Sequence, residues 1–340
     1  MYIPIESPAS YYKLLHQKRV AELFLCALRF DLFSCLTEWE TARGVAAIRG
    51  LKERSVELVL NALTATGFLE KAAGKYRNTP QSNEFLAAGS PVDIKESLLF
   101  REAMMSLNAL DTRLLTGPDE RTMERNLGVE AYDFKETARI SIPEMYTGRV
   151  QNFITEVKAV YQNKQPMKIL DLGGGSGVLA VEIVKAFTNC QGVIFESPQV
   201  TEIPRELVKA EELSEKISVL EGDFMEDDFG GGYDLIIAAG ILDFTKGSLE
   251  NLIRRLYDAL TTEGMLYVVT HQVDKEYVSP PETILGWLSS HLDGLDILLT
   301  EEVIETALHK QGFVRKKESL TGGTLQGIKG KFYGKNLSSN

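Results

Sequence analysis

The chain has 340 residues, with 37 Lys plus Arg against 48 Asp plus Glu, a formal charge of −11. At 44% hydrophobic and 25% charged it has the composition of an ordinary globular protein with ample material for a core, and a norm of ~150 residues per domain predicts about two domains. The acidity argues against a surface built to hold phosphate backbones, so a small molecule or another protein, not nucleic acid, is the expected partner. Three cysteines, Cys26, Cys35 and Cys190, are too few and too scattered for a disulfide framework or a zinc site. Cys26 and Cys35 lie in an apolar helical stretch and read as buried, inert thiols, a usage that fits a reducing compartment. The N-terminus lacks a basic region followed by an apolar run, and no stretch approaches the roughly 18 apolar residues of a membrane span. A cytoplasmic protein with no membrane partner is the expectation.

In chain order, the first 165 residues read as helix after helix. Between Tyr11 and Leu36, apolar residues recur at helical spacing, among them Leu14, Leu15, Leu23, Phe24, Ala27, Leu28 and Phe33. A helix from about Arg43 and another from Glu53 to Thr66, closed by Gly67, are followed by a short hairpin, Phe68 to Lys71 and Lys75 to Arg77, turning at Ala73-Gly74. Together these spell a winged helix-turn-helix. Its would-be recognition helix, Glu53 to Thr66, carries one Arg and two Glu, a poor match to phosphates.

From Pro166 short apolar runs alternate with amphipathic helices. The runs are Lys168 to Leu172, Gly192 to Phe195, Ile217 to Leu220, Tyr233 to Ala239 and Met265 to Thr270; the helices lie near Val178 to Phe187, Gln199 to Leu213 and Ser248 to Leu260. This alternation predicts a parallel sheet with helices on both faces. After a helix at Glu301 to Gln311, Phe313 to Ser319 and Gly327 to Phe332 read as a closing pair of strands.

The strongest local signal is Ile169-Leu170-Asp171-Leu172-Gly173-Gly174-Gly175-Ser176-Gly177, which ends a strand and opens a helix. Glycines there let the backbone turn tightly and approach a ligand. The spacing is Asp171-x-Gly173-x-Gly175-x-Gly177, not the dinucleotide form, because position 178 is Val; no Gly-Lys-Ser/Thr follows to make a Walker loop. Glu196 stands at the end of the second strand, 21 residues after Gly175, where a carboxylate can accept both hydrogen bonds of a ribose diol. After the third strand, Glu221-Gly222-Asp223-Phe224 offers Asp223 to an adenine amino group and the Phe224-Met225 pair to the ring face. Two acidic residues with no nearby Arg suit a ligand without phosphate, and an acidic rim favours a positive one.

The Asp-x-Gly-x-Gly-x-Gly form resembles motif I of the class I S-adenosylmethionine-dependent methyltransferases. Other segments extend the likeness: Arg29-Phe30-Asp31-Leu32-Phe33, Asn61 to Leu69, and Tyr76-Arg77-Asn78-Thr79-Pro80. Nearly the whole chain is similar to the small-molecule O-methyltransferase family that includes plant caffeic acid and acetylserotonin O-methyltransferases and bacterial polyketide relatives. The resemblance implies a Rossmann-like α/β fold with a mostly parallel seven-stranded sheet, preceded by an all-α winged-helix dimerisation domain. Residues 1–95 would form that domain, 96–165 a helical linker contributing to the substrate pocket, and 166–340 the cofactor-binding methyltransferase domain. It further implies S-adenosylmethionine as cofactor, S-adenosylhomocysteine as product, a small-molecule acceptor, and a homodimer formed through the N-terminal domain. The cofactor residues it implies are Asp171, Gly173, Gly175, Gly177, Glu196, Gly222, Asp223, Phe224, Met225 and Ala239.

One position departs from that family. Where the plant enzymes follow the fourth strand with His-Asp-Trp, whose His is the general base, this chain has Leu242-Asp243-Phe244. A Leu cannot take a proton. Of the four His, His16 and His309 read as surface residues. His271 ends the fifth strand, where open α/β sheets place ligands, and His291 lies in the following segment, which lines the pocket in the family. His271, His291 and Asp243 are therefore the catalytic candidates, and none of the candidates is a metal ligand. Two chemistries need no base at position 242: transfer by proximity to a pre-ionised oxygen or to nitrogen, sulfur or carbon, or cofactor binding without methylation. Phe100, Met104, Met105, Met123, Tyr132, Phe134, Met145, Tyr146, Trp287 and Leu288 lie in segments expected to cap the sheet as an apolar pocket, with core packing as the other reading of each. Arg101 and Arg149 could pair an acceptor carboxylate or surface acids.

Overall fold

Thr41 and Thr79 each sit in extended backbone and accept a hydrogen bond from the amide three residues on, Gly44 and Ser82, so each caps a helix of the N-terminal region. The computed structural model describes residues 3–118, 133–162, 164–245, 247–294, 298–318 and 330–337. The chain divides into two compact units, residues 1–104 and 105–340. The stretch expected as a separate linker is shared between them: helix Lys95–Met104 falls in the first, helices Phe134–Met145 and Arg149–Tyr161 in the second.

In the first unit, helix Ala9–Arg29 precedes strand β1 (Glu40–Thr41), helices Ala42–Arg49 and Glu53–Ala65, and the hairpin β2 (Leu69–Ala72) and β3 (Lys75–Asn78). The three strands pair in the order β1-β3-β2. β1 has only two residues and no apolar alternation, so the sequence pattern does not reveal it. The first helix stops seven residues short of the expected Leu36. Asp31 takes a left-handed conformation (φ 50°) and its carboxylate gathers Arg49, the Ser34 hydroxyl and the Lys95 ammonium, which bends the chain into a separate turn at Phe33–Cys35. Leu28, Phe33, Val45, Leu60, Leu63 and Tyr76 form the core, with Phe24 stacked on Phe68 at 5.0 Å. The outer half of the first helix is uncovered: Tyr11, Tyr12, Leu14 and Leu15 are 53 to 71% exposed. Cys26 and Cys35, expected buried, are half-buried, and Arg49 Nε donates to Cys35 Sγ at 3.0 Å; Cys190 is buried.

The second unit holds a seven-stranded sheet of β4 (Lys168–Leu172), β5 (Gln191–Glu196), β6 (Ile217–Glu221), β7 (Tyr233–Ala239), β8 (Leu260–Val269), β9 (Phe313–Glu318) and β10 (Gly330–Lys335). The order is β6-β5-β4-β7-β8-β10-β9; the first five are parallel, while β10 runs antiparallel to β8 and β9. Strand residues alternate between two cores, as a period of two demands: Leu170, Ile236 and Ala238 pack with helices Leu249–Ala259 and Glu301–Gln311, and Ile169, Leu235 and Ile237 with helices Arg149–Tyr161 and Val178–Ala186. The chain crosses from β4 outward to β5 and β6, then back past β4 to β7. That reversal puts the loop after β4 at a switch point, where crevices open beyond the carboxyl ends of strands. β10 is described from Gly330; the first residues of the expected strand, 327–329, lie outside the described residues, as do Met123 and Tyr132.

Candidate active site

The loop after β4 turns through Gly173 (φ 61°) and Gly175 (φ 55°), conformations that suit glycine. A Cβ on Gly173 would stand 2.5 Å from Ile241 Cγ2, whereas nothing lies within 4 Å of a Cβ built on Gly175, so that residue faces open space. The Gly175 amide donates to Glu196 Oε2 at 2.8 Å, and the Ser197 amide to Oε1 at 2.7 Å. Glu196 thus ties the loop to the end of β5 and, as a carboxylate with about four acceptor positions, retains capacity for hydroxyl donors. Asp171 lies beneath. The residue is 2% exposed, and its Oδ2 has no hydrogen-bond partner among the described residues. Burial pushes its pKa up to about 7; the Ala180 amide and Arg149 oppose the rise, and Glu196 adds to it.

The loop after β6 supplies the next wall. Asp223 is exposed, its Oδ1 accepting from the Met225 amide at 2.8 Å, while its own amide donates to Asp227 Oδ2 at 2.8 Å. Phe224 approaches the Gly173 turn, its Cε1 3.9 Å from a Cβ built there. Arg255, a residue no motif marks, clamps this loop. Its guanidinium donates to the Phe224 and Met225 carbonyls at 2.8 Å each and to the Asp227 carbonyl, and stacks over Phe229 at 4.6 Å. In the sequence it is one of an Arg pair on an amphipathic helix, a pattern that reads as a solvated face. Gly177 and Gly222 serve packing: a Cβ on the first would meet Ile194 and Pro204, on the second Phe195 and Asp227. Ala239 ends β7 opposite Val269 of β8.

These residues fit the expected S-adenosylmethionine. An orphaned buried carboxylate oxygen, an open glycine turn and two further acids lie at the carboxyl ends of three successive strands of one sheet, and a cation without phosphate is the ligand such a rim favours.

The catalytic candidates separate. Leu242 is fully buried and packs with Leu249, Leu252 and Ile253, so its side chain belongs to the core. Asp243 is also fully buried, its Oδ1 accepting from the His271 amide at 3.0 Å and its Oδ2 lying 3.2 Å from His271 Nδ1. The His271 ring is 19% exposed and meets Phe244 and Trp287 edge-on at 5.6 and 5.3 Å. His291 is one turn beyond Trp287, its ring 5.7 Å from Tyr277. His16 and His309 are exposed, as expected. Met145 is buried in the core with Val150 and Phe153, and the neighbouring Tyr146 hydroxyl donates to Glu182, so for this pair the core reading holds over the pocket. Met105 lies against helix Pro281–Leu292, its Cε and Sδ each 3.6 Å from a Cβ built on Gly286. No described helix is long and apolar enough to cross a membrane.

A model of the O-methyltransferase domain matches residues 110–313. Bovine acetylserotonin O-methyltransferase is 26% identical over 330 residues, covering 91% of this chain and 93% of that one. The 3-hydroxy-5-methyl-1-naphthoate 3-O-methyltransferase of Streptomyces sahachiroi is 25% identical over 271 residues, 76% of each chain. In fold, the chain is similar to human N-acetylserotonin methyltransferase solved with S-adenosylmethionine, at a TM-score of 0.71 and 22% identity, covering 98% of this chain and 99% of that one. With the glycine turn at the switch point of its sheet, Glu196 at the end of β5 and Asp223 just beyond β6, the chain belongs to the O-methyltransferase domain family of S-adenosylmethionine-dependent methyltransferases.

Proposed function

We propose that this protein moves a methyl group from S-adenosylmethionine to a hydroxyl of a small, largely apolar or aromatic acceptor, working in the cytoplasm as a homodimer. One observation carries the reading: an acidic glycine-turn cradle and the aromatic group Phe244, His271 and Trp287 stand at the carboxyl ends of strands of one sheet. Relatives named for acetylserotonin and a hydroxynaphthoate support an aromatic alcohol as acceptor. When bound, the cofactor supplies an electrophilic methyl on a positive sulfur. Glu196 holds the ribose diol, Asp223 the adenine amino group, and Phe224 with Met225 the ring face, on the frame of Asp171, Gly173, Gly175, Gly177, Gly222 and Ala239. The proton acceptor comes from the set His271, Asp243 and His291. Tyr11, Tyr12, Leu14 and Leu15 of the winged-helix unit form the apolar stripe that a second copy would cover.

Burial of Leu242 where a base is expected favours a second reading, transfer by proximity to an already ionised oxygen or to nitrogen, sulfur or carbon. Calorimetric titration with S-adenosylhomocysteine, followed by an acceptor panel with isotopically labelled cofactor, tests the proposal. Tight binding that weakens in Glu196→Ala and Asp223→Ala, with label appearing as a methyl ether, is expected. Absence of binding by the wild type would refute it, and label on carbon, nitrogen or sulfur would select the second reading.

A further inference from the structure

We infer that His271 is the catalytic base and Asp243 its positioning residue, a dyad that moves the base from the turn after β7 to the end of the neighbouring strand β8. The inference rests on the methyl-transfer reading above and specifies which groups perform its proton step.

The topology brings the two residues together. β7 and β8 are parallel neighbours that end in register at Ala239 and Val269, and the Gly240 amide closes onto the Val269 carbonyl at 2.8 Å. Residues a few positions beyond each strand end therefore lie side by side. On the β7 side the turn Leu242–Phe244 points Leu242 into the core, so the family's base position has no access to an acceptor. Asp243 follows, wholly buried, and a buried carboxylate needs partners. Its Oδ1 holds the His271 amide, while its Oδ2 lies 3.2 Å from His271 Nδ1, and neither of those two buried atoms has a hydrogen-bond partner among the described residues. Two buried orphan atoms this close are each other's nearest complement: a proton on Nδ1 faces the carboxylate, and Nε2 is then the nitrogen that accepts another.

The ring is also held in place. Phe244 and Trp287 pack edge-on at interplanar angles of 78° and 88°, and the Thr283 hydroxyl donates to the His271 carbonyl at 3.2 Å. The next residue, Gln272, has a φ of 54°, backbone strain of the kind that clusters at functional sites. Other charged groups stand behind the strand end: Glu301 accepts from the Thr270 hydroxyl and is paired with Lys331. Asp243 is thus the charge that faces the imidazole. In the reaction the acceptor O–H proton passes to His271 Nε2, the oxygen forms a bond to the methyl carbon, and the carbon–sulfur bond breaks with its electron pair kept by sulfur. The resulting imidazolium is balanced by Asp243 and later yields its proton to water.

The test measures kcat, KM and S-adenosylhomocysteine affinity against pH for the wild type, His271→Ala, His271→Asn and Asp243→Asn. His271→Ala should lower kcat by about 10²- to 10⁴-fold, leave S-adenosylhomocysteine affinity within about twofold, and remove the acid limb of the pH–rate profile. Added imidazole should restore part of the rate, and acceptors with more acidic hydroxyls should lose less. Asp243→Asn should lower kcat by tenfold or more without moving cofactor affinity; if that variant fails to fold, the two His271 variants still decide. Wild-type kcat and an unchanged acid limb in both His271 variants would overturn the dyad while leaving methyl transfer intact. Failure of the wild type to bind S-adenosylhomocysteine, or to methylate any acceptor, would overturn both.

Discussion

The two halves of the site are built differently. The proposed cofactor half rests on short motifs at successive strand ends: Gly173 and Gly175 turn the chain after β4, and Glu196, 21 residues on at the end of β5, closes back on the Gly175 amide. The proposed base half is assembled from three separate stretches, Asp243 and Phe244 after β7, His271 after β8, and Trp287 on helix Pro281–Leu292. A turn made by backbone freedom is met by a short motif. A group held by side chains from separate strand ends and a helix exists only once packing brings them together.

The sharpest way to break this comparison is to ask whether the halves respond separately. The His271→Ala variant should lose about 10²- to 10⁴-fold in kcat at unchanged S-adenosylhomocysteine affinity. Equal losses in both quantities would mean the halves are one unit.

Asp171 comes next in size. Its pKa rises from 3.8 to about 7 on folding, chiefly through burial, so the neutral acid is the form the apo fold prefers. The stability it contributes is complete below about pH 4 and is lost as pH rises through about 7, a change on the order of 4 kcal/mol at most. Thermal melts of the apo protein between pH 4 and 8 should therefore fall more steeply for the wild type than for Asp171→Asn. Parallel curves would show that this carboxyl does not carry that strain.

Glu196→Ala removes a carboxylate that holds two backbone amides, Gly175 and Ser197. Charge-assisted bonds of this kind are worth about 1.5–3 kcal/mol, so S-adenosylhomocysteine affinity should drop roughly 10- to 100-fold. At saturating cofactor, kcat should stay near wild type, the reverse of the His271 pattern. The smallest effect belongs to Arg255→Gln. Losing the clamp on the Phe224, Met225 and Asp227 carbonyls should weaken binding by about fivefold, about 1 kcal/mol. No change in calorimetry would mean the loop holds its shape without it.

Much of the second unit was legible. Lys168–Leu172 and Tyr233–Ala239 are strands at the expected bounds, because continuous apolar runs bounded by glycine and polar residues suit strands covered on both faces. The first helix was overrun because its apolar spacing continues past Arg29, while the force that ends it, ion pairing of Asp31 with Arg49 and Lys95, comes from residues far along the chain. Arg255 was invisible for the same reason: its partners are carbonyls, which carry no sequence signature.

By itself the sequence determined the α/β alternation, the glycine turn and the placing of Glu196 and Asp223 at and just beyond strand ends. These follow from local backbone freedom and strand periodicity, which neighbouring residues set. Only the tertiary structure decided that Leu242 turns into the core, that Asp243 is buried against His271, and that Trp287 covers the ring. Those relations depend on which strand ends lie side by side and on which side chains lose their water, and both are settled by the packing of the whole sheet.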